Sequence, residues 1–217
     1  MDQLNILLLG TQGSGKGTQA RLLSEQFDIP WFSTGEILRE EINKGTELGK
    51  LAASYINRGN LLPDDVISSI VKKELLKDKY TDGVILDGYP RNIVQAETLD
   101  DFMELDYVVF VDISDEESVK RVTGRRICPK CGEYYHLDYN PPKESELCDR
   151  CGNKLEIRED STPEAVETRL KVYHSLTEPL VSYYDEKGLL VKVNGEQYIP
   201  EVFNEIMTKI QEHGLHN

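Results

Sequence analysis

Nine residues near the N-terminus have the composition of an anion cradle. Gly10-Thr11-Gln12-Gly13-Ser14-Gly15-Lys16-Gly17-Thr18 sets four glycines and one lysine at fixed offsets. Glycine lets the backbone bend until successive N–H groups point inward and wrap a phosphate. A helix that begins where the loop ends turns its positive dipole end on the same anion, and Lys16 supplies a charge for the β and γ oxygens of a polyphosphate. A Gly-rich turn with no ligand explains glycines alone, but not a lysine at this offset after a strand. The general form of such loops places Ser or Thr directly after the lysine as a magnesium ligand. Here Gly17 stands there and Thr18 follows, so Mg2+ is expected to be held mostly by phosphates and waters, which this ion prefers.

A second constellation is Cys128-Pro129-Lys130-Cys131 with Cys148-Asp149-Arg150-Cys151, two Cys-x2-Cys pairs that hold all four cysteines of the chain. Four thiolates at this spacing close a tetrahedron around Zn2+ with zinc–sulfur distances of ~2.3 Å and leave no open position, so the site is structural rather than catalytic. The surrounding segment has almost no apolar core, and the metal must supply its folding energy. An Fe–S cluster would require a redox role. A nucleic-acid-binding knuckle is opposed by Glu133, Asp138, Glu144, Glu146 and Asp149, which face Lys143 alone over residues 132–149. His136 lies close by, but four cysteines complete the site and a surface imidazole is expected.

The elements that must position these groups follow from periodicity. Leu4 to Leu9 is almost wholly apolar, as a parallel strand buried on both faces must be, and Thr18 to Phe27 carries apolar residues at helical spacing. Short apolar runs at Gly83–Asp87, Asp106–Val111 and Leu189–Val193 each precede a helical stretch, the last running over about 199–212. Alternating strands and helices predict a parallel sheet covered on both faces. Two segments interrupt the alternation. Residues 33–76 read as helices only, around Gly35–Asn43, Leu48–Asn57 and from Pro63, while residues 127–159 form the Cys-, Pro- and Gly-rich insert. A long charged helix over 162–186 brings the chain back.

The chain has 217 residues and a formal net charge of −14. A body this negative repels nucleic acid and anionic membrane unless its cations are gathered in one place. No apolar run approaches the ~20 residues of a membrane span, and the N-terminus lacks the basic head of a signal peptide. A soluble, cytoplasmic protein is expected.

Over essentially its whole length the chain resembles the bacterial adenylate kinases. The resemblance rests on Gly13-Ser14-Gly15-Lys16-Gly17-Thr18-Gln19, Ser33-Thr34-Gly35-Glu36-Ile37-Leu38-Arg39, Asp87-Gly88-Tyr89-Pro90-Arg91 with Gln95, Gly124-Arg125-Arg126, and Arg158 with Arg169. It implies an α/β fold: a P-loop parallel five-stranded sheet with helices on both faces, plus a helical NMP-binding insert and a small zinc-binding lid insert. The core would comprise 1–32, 63–126 and 160–217, the clamp 33–62 and the lid 127–159. It also implies Mg-ATP + AMP ⇌ 2 ADP, in a monomer whose lid and clamp close over small nucleotides.

Such chemistry brings several negative charges together, so the protein mainly positions and neutralises. Arg suits this because its planar fork grips phosphate oxygens in pairs. By resemblance, Arg39 and Arg91 hold the phosphate of the monophosphate, Arg125 and Arg158 come from the lid and its edges, and Arg121 and Arg169 embrace the transferring group, with Lys16 and Asp87 beside them. Asp87 would orient magnesium through water. The ATP side would comprise Gly13, Ser14, Gly15, Lys16, Gly17, Thr18, Arg125, Tyr134, Tyr135 and Gln197. The AMP side would comprise Thr34, Arg39, Asn60, Leu61, Leu62, Gly88, Tyr89, Pro90, Arg91, Gln95, Arg158 and Arg169. Gln95 stands where the pyrimidine-monophosphate relatives carry Asn. Gln12 departs from the usual Pro of the loop, which makes the loop less rigid. A kinase for UMP, CMP or GMP is the nearest alternative. A non-enzymatic zinc module that binds nucleic acid, with the loop as a sensor, is the alternative from another class.

Overall fold

The structure is a computed structural model and describes residues 3–157 and 161–214. Five strands form one parallel sheet in the order β2-β3-β1-β4-β7: β1 (Leu4–Leu9), β2 (Trp31–Ser33), β3 (Gly83–Asp87), β4 (Tyr107–Asp112) and β7 (Leu190–Asn194). β1 is central because both of its faces are apolar. Leu7 and Leu9 enter a core on one side, and Ile6 and Leu8 enter a second core on the other. Each such fully buried aliphatic contributes about 1.5–3 kcal/mol relative to exposure. β7 is an edge strand and alternates: Val191 and Val193 are buried, whereas Lys192 faces solvent.

Helices cover both faces. α1 (Lys16–Phe27) and α9 (Ile199–Glu212) pack on the Ile6/Leu8 side through Ala20, Leu23, Val202, Ile206 and Ile210. On the other side lie α2 (Thr34–Lys44), α3 (Glu47–Ile56), α4 (Asp64–Leu75), α5 (Ile93–Asp100) and α8 (Pro179–Glu186). α4 opens after Pro63 with Asp64 and Asp65 in its first turn, where the macrodipole favours negative charge. α5 is capped by Asn92, whose side chain accepts from Gln95 N. α6 (Asp115–Thr123) and α7 (Pro163–Val172) flank the insert between them. Within the insert, β5 (Arg125–Ile127) pairs antiparallel with β6 (Tyr134–His136).

One expectation needs correction. The 162–186 segment is not one helix: a π turn at Tyr173–Thr177 separates α7 from α8, with Glu178 N donating to Tyr173 O at 2.9 Å. Pro179 has no N–H to continue the α ladder, and the wider turn takes up the break. The short strand β2 carries too few residues to show a period of two, so only the family resemblance implied a fifth strand.

Candidate active site

β1 delivers the chain to the loop at the C-terminal edge of the sheet, where open α/β sheets bind ligands at a switch in strand order. Gly13 and Gly15 take φ of +85° and +96°, in the left-handed region that glycine enters freely. Gly13 is doubly constrained, because a Cβ there would stand 3.0 Å from Ser118 O and 3.2 Å from Val122 Cγ2 of α6. Gln12, expected to loosen the loop, is tied at both ends of the residue: its O accepts from Ser118 Oγ at 2.6 Å and its Nε2 donates to Val166 O of α7 at 3.4 Å.

Lys16 Nζ folds back over the loop and donates to Gly10 O at 2.8 Å, Thr11 O at 2.7 Å and Ser14 Oγ at 3.3 Å. Its pKa is pushed down to about 8. Burial is the main cause, the Asp87 carboxylate opposes it, and the guanidinium groups of Arg91, Arg125 and Arg169 reinforce it. Four cations and one carboxylate thus share a field at one point, an arrangement that a polyphosphate would relieve.

The loop lies in the wall of a cleft of about 810 Å³. The cleft is lined by Thr34, Arg39, Asn60, Leu61, Leu62, Gly88, Pro90, Arg91 and Gln95, and also by Arg121, Arg125, Tyr134, Tyr135 and Gln197. Arg169 also reaches it, and Asp87 closes the end of β3 beside Gly17. Thr34 Oγ1 donates to Gly88 O at 2.8 Å, and Arg91 Nε donates to the same oxygen at 2.7 Å. Arg121 is held by Glu117 Oε1 at 2.7 Å and Gly195 O at 2.8 Å. The side chain of Gln197 is committed to Glu205 and Asn194 O.

Not every expected residue reaches the cleft with its side chain. Tyr89 is fully buried in the core and donates to Ser68 Oγ at 2.9 Å, so only its backbone is left for a ligand. Tyr134 and Tyr135 divide: Tyr134 is exposed at the cleft wall, whereas Tyr135 packs with Cys128, Cys148 and Leu155 and accepts from Asp149 N at 2.8 Å. Arg158 lies outside the described residues.

The four cysteines converge as their spacing requires. All four Sγ atoms lie within 4.8 Å of one another, with Cys128–Cys151 at 3.4 Å, Cys131–Cys148 at 3.5 Å and Cys131–Cys151 at 3.6 Å. A tetrahedron with ~2.3 Å bonds has edges of about 3.8 Å, so the donor set fits zinc. Both pairs make the same turn: Gly132 N donates to Cys128 O at 2.9 Å, and Gly152 N donates to Cys148 O at 2.8 Å.

The sequence model of the adenylate kinase family matches residues 8–189 of this chain. Adenylate kinase of Methanothrix thermoacetophila is 48% identical over 208 residues, covering 94% of this chain and 96% of the relative. That of Oceanobacillus iheyensis is 47% identical, covering 94% and 97%. That of Archaeoglobus fulgidus is 48% identical, covering 94% and 96%. The chain belongs to the adenylate kinase family. As a member it is an enzyme, a nucleotide kinase of the P-loop α/β class.

Three features of this adenylate kinase fold escaped the sequence. His136 is not a plain surface imidazole: it is half-buried, its Nε2 meets Arg121 O at 3.0 Å, and its Nδ1 accepts from Asp138 N at 3.0 Å and Tyr139 N at 3.3 Å. Burial lowers its pKa, and as a neutral ring it joins the lid hairpin to α6. Trp31 lies beside Gly17, with ring carbons 3.6 and 3.9 Å from where a Cβ would stand. Asp64, at the start of α4, accepts from Gln95 Nε2 and Asn92 Nδ2. Its position at a helix start signalled only a favourable charge, since its partners lie 28 and 31 residues away.

Proposed function

We propose that the chain transfers the γ-phosphoryl group of Mg-ATP to AMP, giving two ADP, with ATP on the Arg121/Tyr134 side of the phosphate loop and AMP on the Thr34/Gln95 side. The observation that supports this most is that Lys16, Arg91, Arg125 and Arg169 all line one cleft, with each guanidinium acting on the Lys16 ammonium. In-line transfer needs little covalent help from the protein, only fixed cations around the moving group. The loop amides and Lys16 hold the donor phosphates. Arg39 and Arg91 hold the acceptor phosphate, and Arg121, Arg125, Arg158 and Arg169 neutralise the equatorial oxygens. Magnesium, when bound, neutralises and orients the polyphosphate. Asp87 is the carboxylate that fits it, because Gly17 carries no side chain between Asp87 and the loop: a Cβ there would stand 3.6 Å from Asp87 Oδ2.

Residues 33–62 act as the clamp, residues 127–159 as a zinc-stapled lid, and the remainder as the core. Closure excludes water, which would otherwise accept the phosphoryl group. The chain works on small nucleotides as a cytoplasmic monomer. The net charge of −14 disfavours nucleic-acid partners, and among the described residues no helix is long and apolar enough to cross a membrane.

Initial rates with ATP and a panel of AMP, GMP, UMP and CMP test the acceptor. AMP is expected to exceed each of the others in kcat/KM by at least about 10²-fold, as expected for a site that reads a base by paired hydrogen bonds. A preference for a pyrimidine monophosphate would overturn the assignment of Thr34 and Gln95.

A further inference from the structure

We propose that Asp64 is a positioning residue that fixes which way round the Gln95 amide stands, and so makes the monophosphate subsite favour a 6-aminopurine over a 6-oxopurine. The proposal rests on the reading of the Thr34/Gln95 side as the AMP side.

Gln95 is 2% exposed and lines the cleft. An amide is nearly symmetric in shape, and its two ends are told apart only by their partners. Here both partners are unambiguous. The backbone N–H of Arg91 can only donate, and it lies 2.8 Å from Gln95 Oε1. The carboxylate of Asp64 accepts, with Oδ1 2.6 Å from Gln95 Nε2. Asn92 completes the ring: its Nδ2 donates to the same Asp64 Oδ1 at 2.8 Å, and its Oδ1 accepts from Gln95 N at 2.9 Å. Turning the Gln95 amide over would set N–H against N–H at Arg91 and oxygen against oxygen at Asp64, leaving buried groups unpaired, which is costly.

With one hydrogen and one lone pair so used, Gln95 keeps one donor and one acceptor, in a fixed order. The Watson–Crick edge of adenine offers a donor at N6 and an acceptor at N1. Hypoxanthine and guanine offer an acceptor at O6 and a donor at N1. The two classes therefore demand opposite amide orientations, and a locked amide serves only one of them. Asp64 holds the nitrogen end of that lock, and the Arg91 N–H holds the oxygen end. Removing Asp64 weakens the preference without abolishing it.

The test compares wild type with Asp64→Ala, Asp64→Ser and Asp64→Asn, measuring kcat and KM for AMP and IMP at saturating ATP, with melting temperature as a check on folding. Ser keeps a residue suited to a helix start but is too short to reach Gln95 Nε2, so it serves where Ala destabilises α4. Ala and Ser are each expected to raise KM for AMP about tenfold with kcat within about threefold, and to narrow the AMP/IMP ratio of kcat/KM about tenfold. Asn restores both, because its carbonyl oxygen accepts from the same two N–H groups. An unchanged AMP/IMP ratio in folded Ala or Ser variants overturns the proposal. So does an Asn variant that behaves like Ala, since the charge at the helix start would then carry the effect. A wild type that does not phosphorylate AMP instead defeats the reading of the site itself.

Discussion

Changing Lys16 to Ala is expected to lower kcat for ADP formation by about 10²–10³-fold, the usual cost of removing one preorganised charge from a transition state. The fold should survive. Lys16 opens α1 where the loop ends and belongs to neither hydrophobic core, and burial holds its pKa below that of a free lysine. A folded-state pKa near 8, against 10.5 for a free lysine, means that the unfolded chain binds this proton more tightly. The contribution of Lys16 to stability is therefore unfavourable below pH 8 and improves as pH rises from about 8 to 10.5. Binding has the opposite sign, because only the ammonium attracts phosphate. For wild type, kcat/KM for ATP should be level from pH 7 to about 8 and then fall toward tenfold per pH unit. In the complex the phosphates raise the lysine pKa, so kcat should fall only at higher pH. Trp31, the single tryptophan of the chain, stands at the cleft wall beside the loop, and its fluorescence gives an independent readout of ATP binding. A kcat/KM profile that stays level to pH 10, or a Lys16→Ala enzyme of near-normal turnover, contradicts the role given to this side chain.

Removing metal from the four-cysteine centre should produce the second large effect, on stability. The cluster around it contains Cys128, Tyr135, Cys148 and Leu155, with Cys131 and Cys151 at its edge. Four buried residues cannot offset the conformational entropy of a segment of this length, at about 1–2 kcal/mol per residue for the backbone alone. On the proposed reading of this segment as a zinc-stapled lid, the bound metal supplies most of its folding energy. Metal present at about 10³ times its Kd stabilises by about 4 kcal/mol, which for a chain of this size corresponds to roughly 8–16 °C in melting temperature. A strong chelator should lower the melting temperature by that order, with loss of order over 127–159 ahead of the sheet. Cys148→Ser should reproduce the change without chelator. Phosphoryl transfer should weaken in parallel, since Arg125 and Tyr134 belong to the hairpin that the centre supports. Identical melting with and without chelator, together with no zinc by metal analysis, contradicts a structural centre.

What could be read from the chain was what is encoded locally. The phosphate loop is contiguous, its glycines are needed for positive φ, and its lysine returns to carbonyls only five and six residues away. The cysteine pairs are similar, each a turn closed by its own glycine. Strand β1 announced itself because burial on both faces leaves no polar position in its second half. Features set by distant partners were invisible. β2 exists because Trp31, Phe32 and Ser33 pair with Ile85, Leu86 and Asp87, not because three residues show a period. His136 looked like a leftover imidazole until α6 brought Arg121 O to it. The orientation of Gln95 depends on Asp64 across 31 residues, and nothing in the spacing of either residue points to the other. The break before α8 was legible in principle, since Pro179 stands in plain view inside the 162–186 segment.

The most direct measurement follows ATP, ADP, AMP and inorganic phosphate together in one reaction. Wild-type protein with Mg-ATP and AMP should form two ADP for each ATP consumed, with almost no inorganic phosphate, and omission of AMP should leave ATP nearly intact. ATP consumption that yields inorganic phosphate at the same rate with or without AMP would show that water, not a second nucleotide, receives the phosphoryl group.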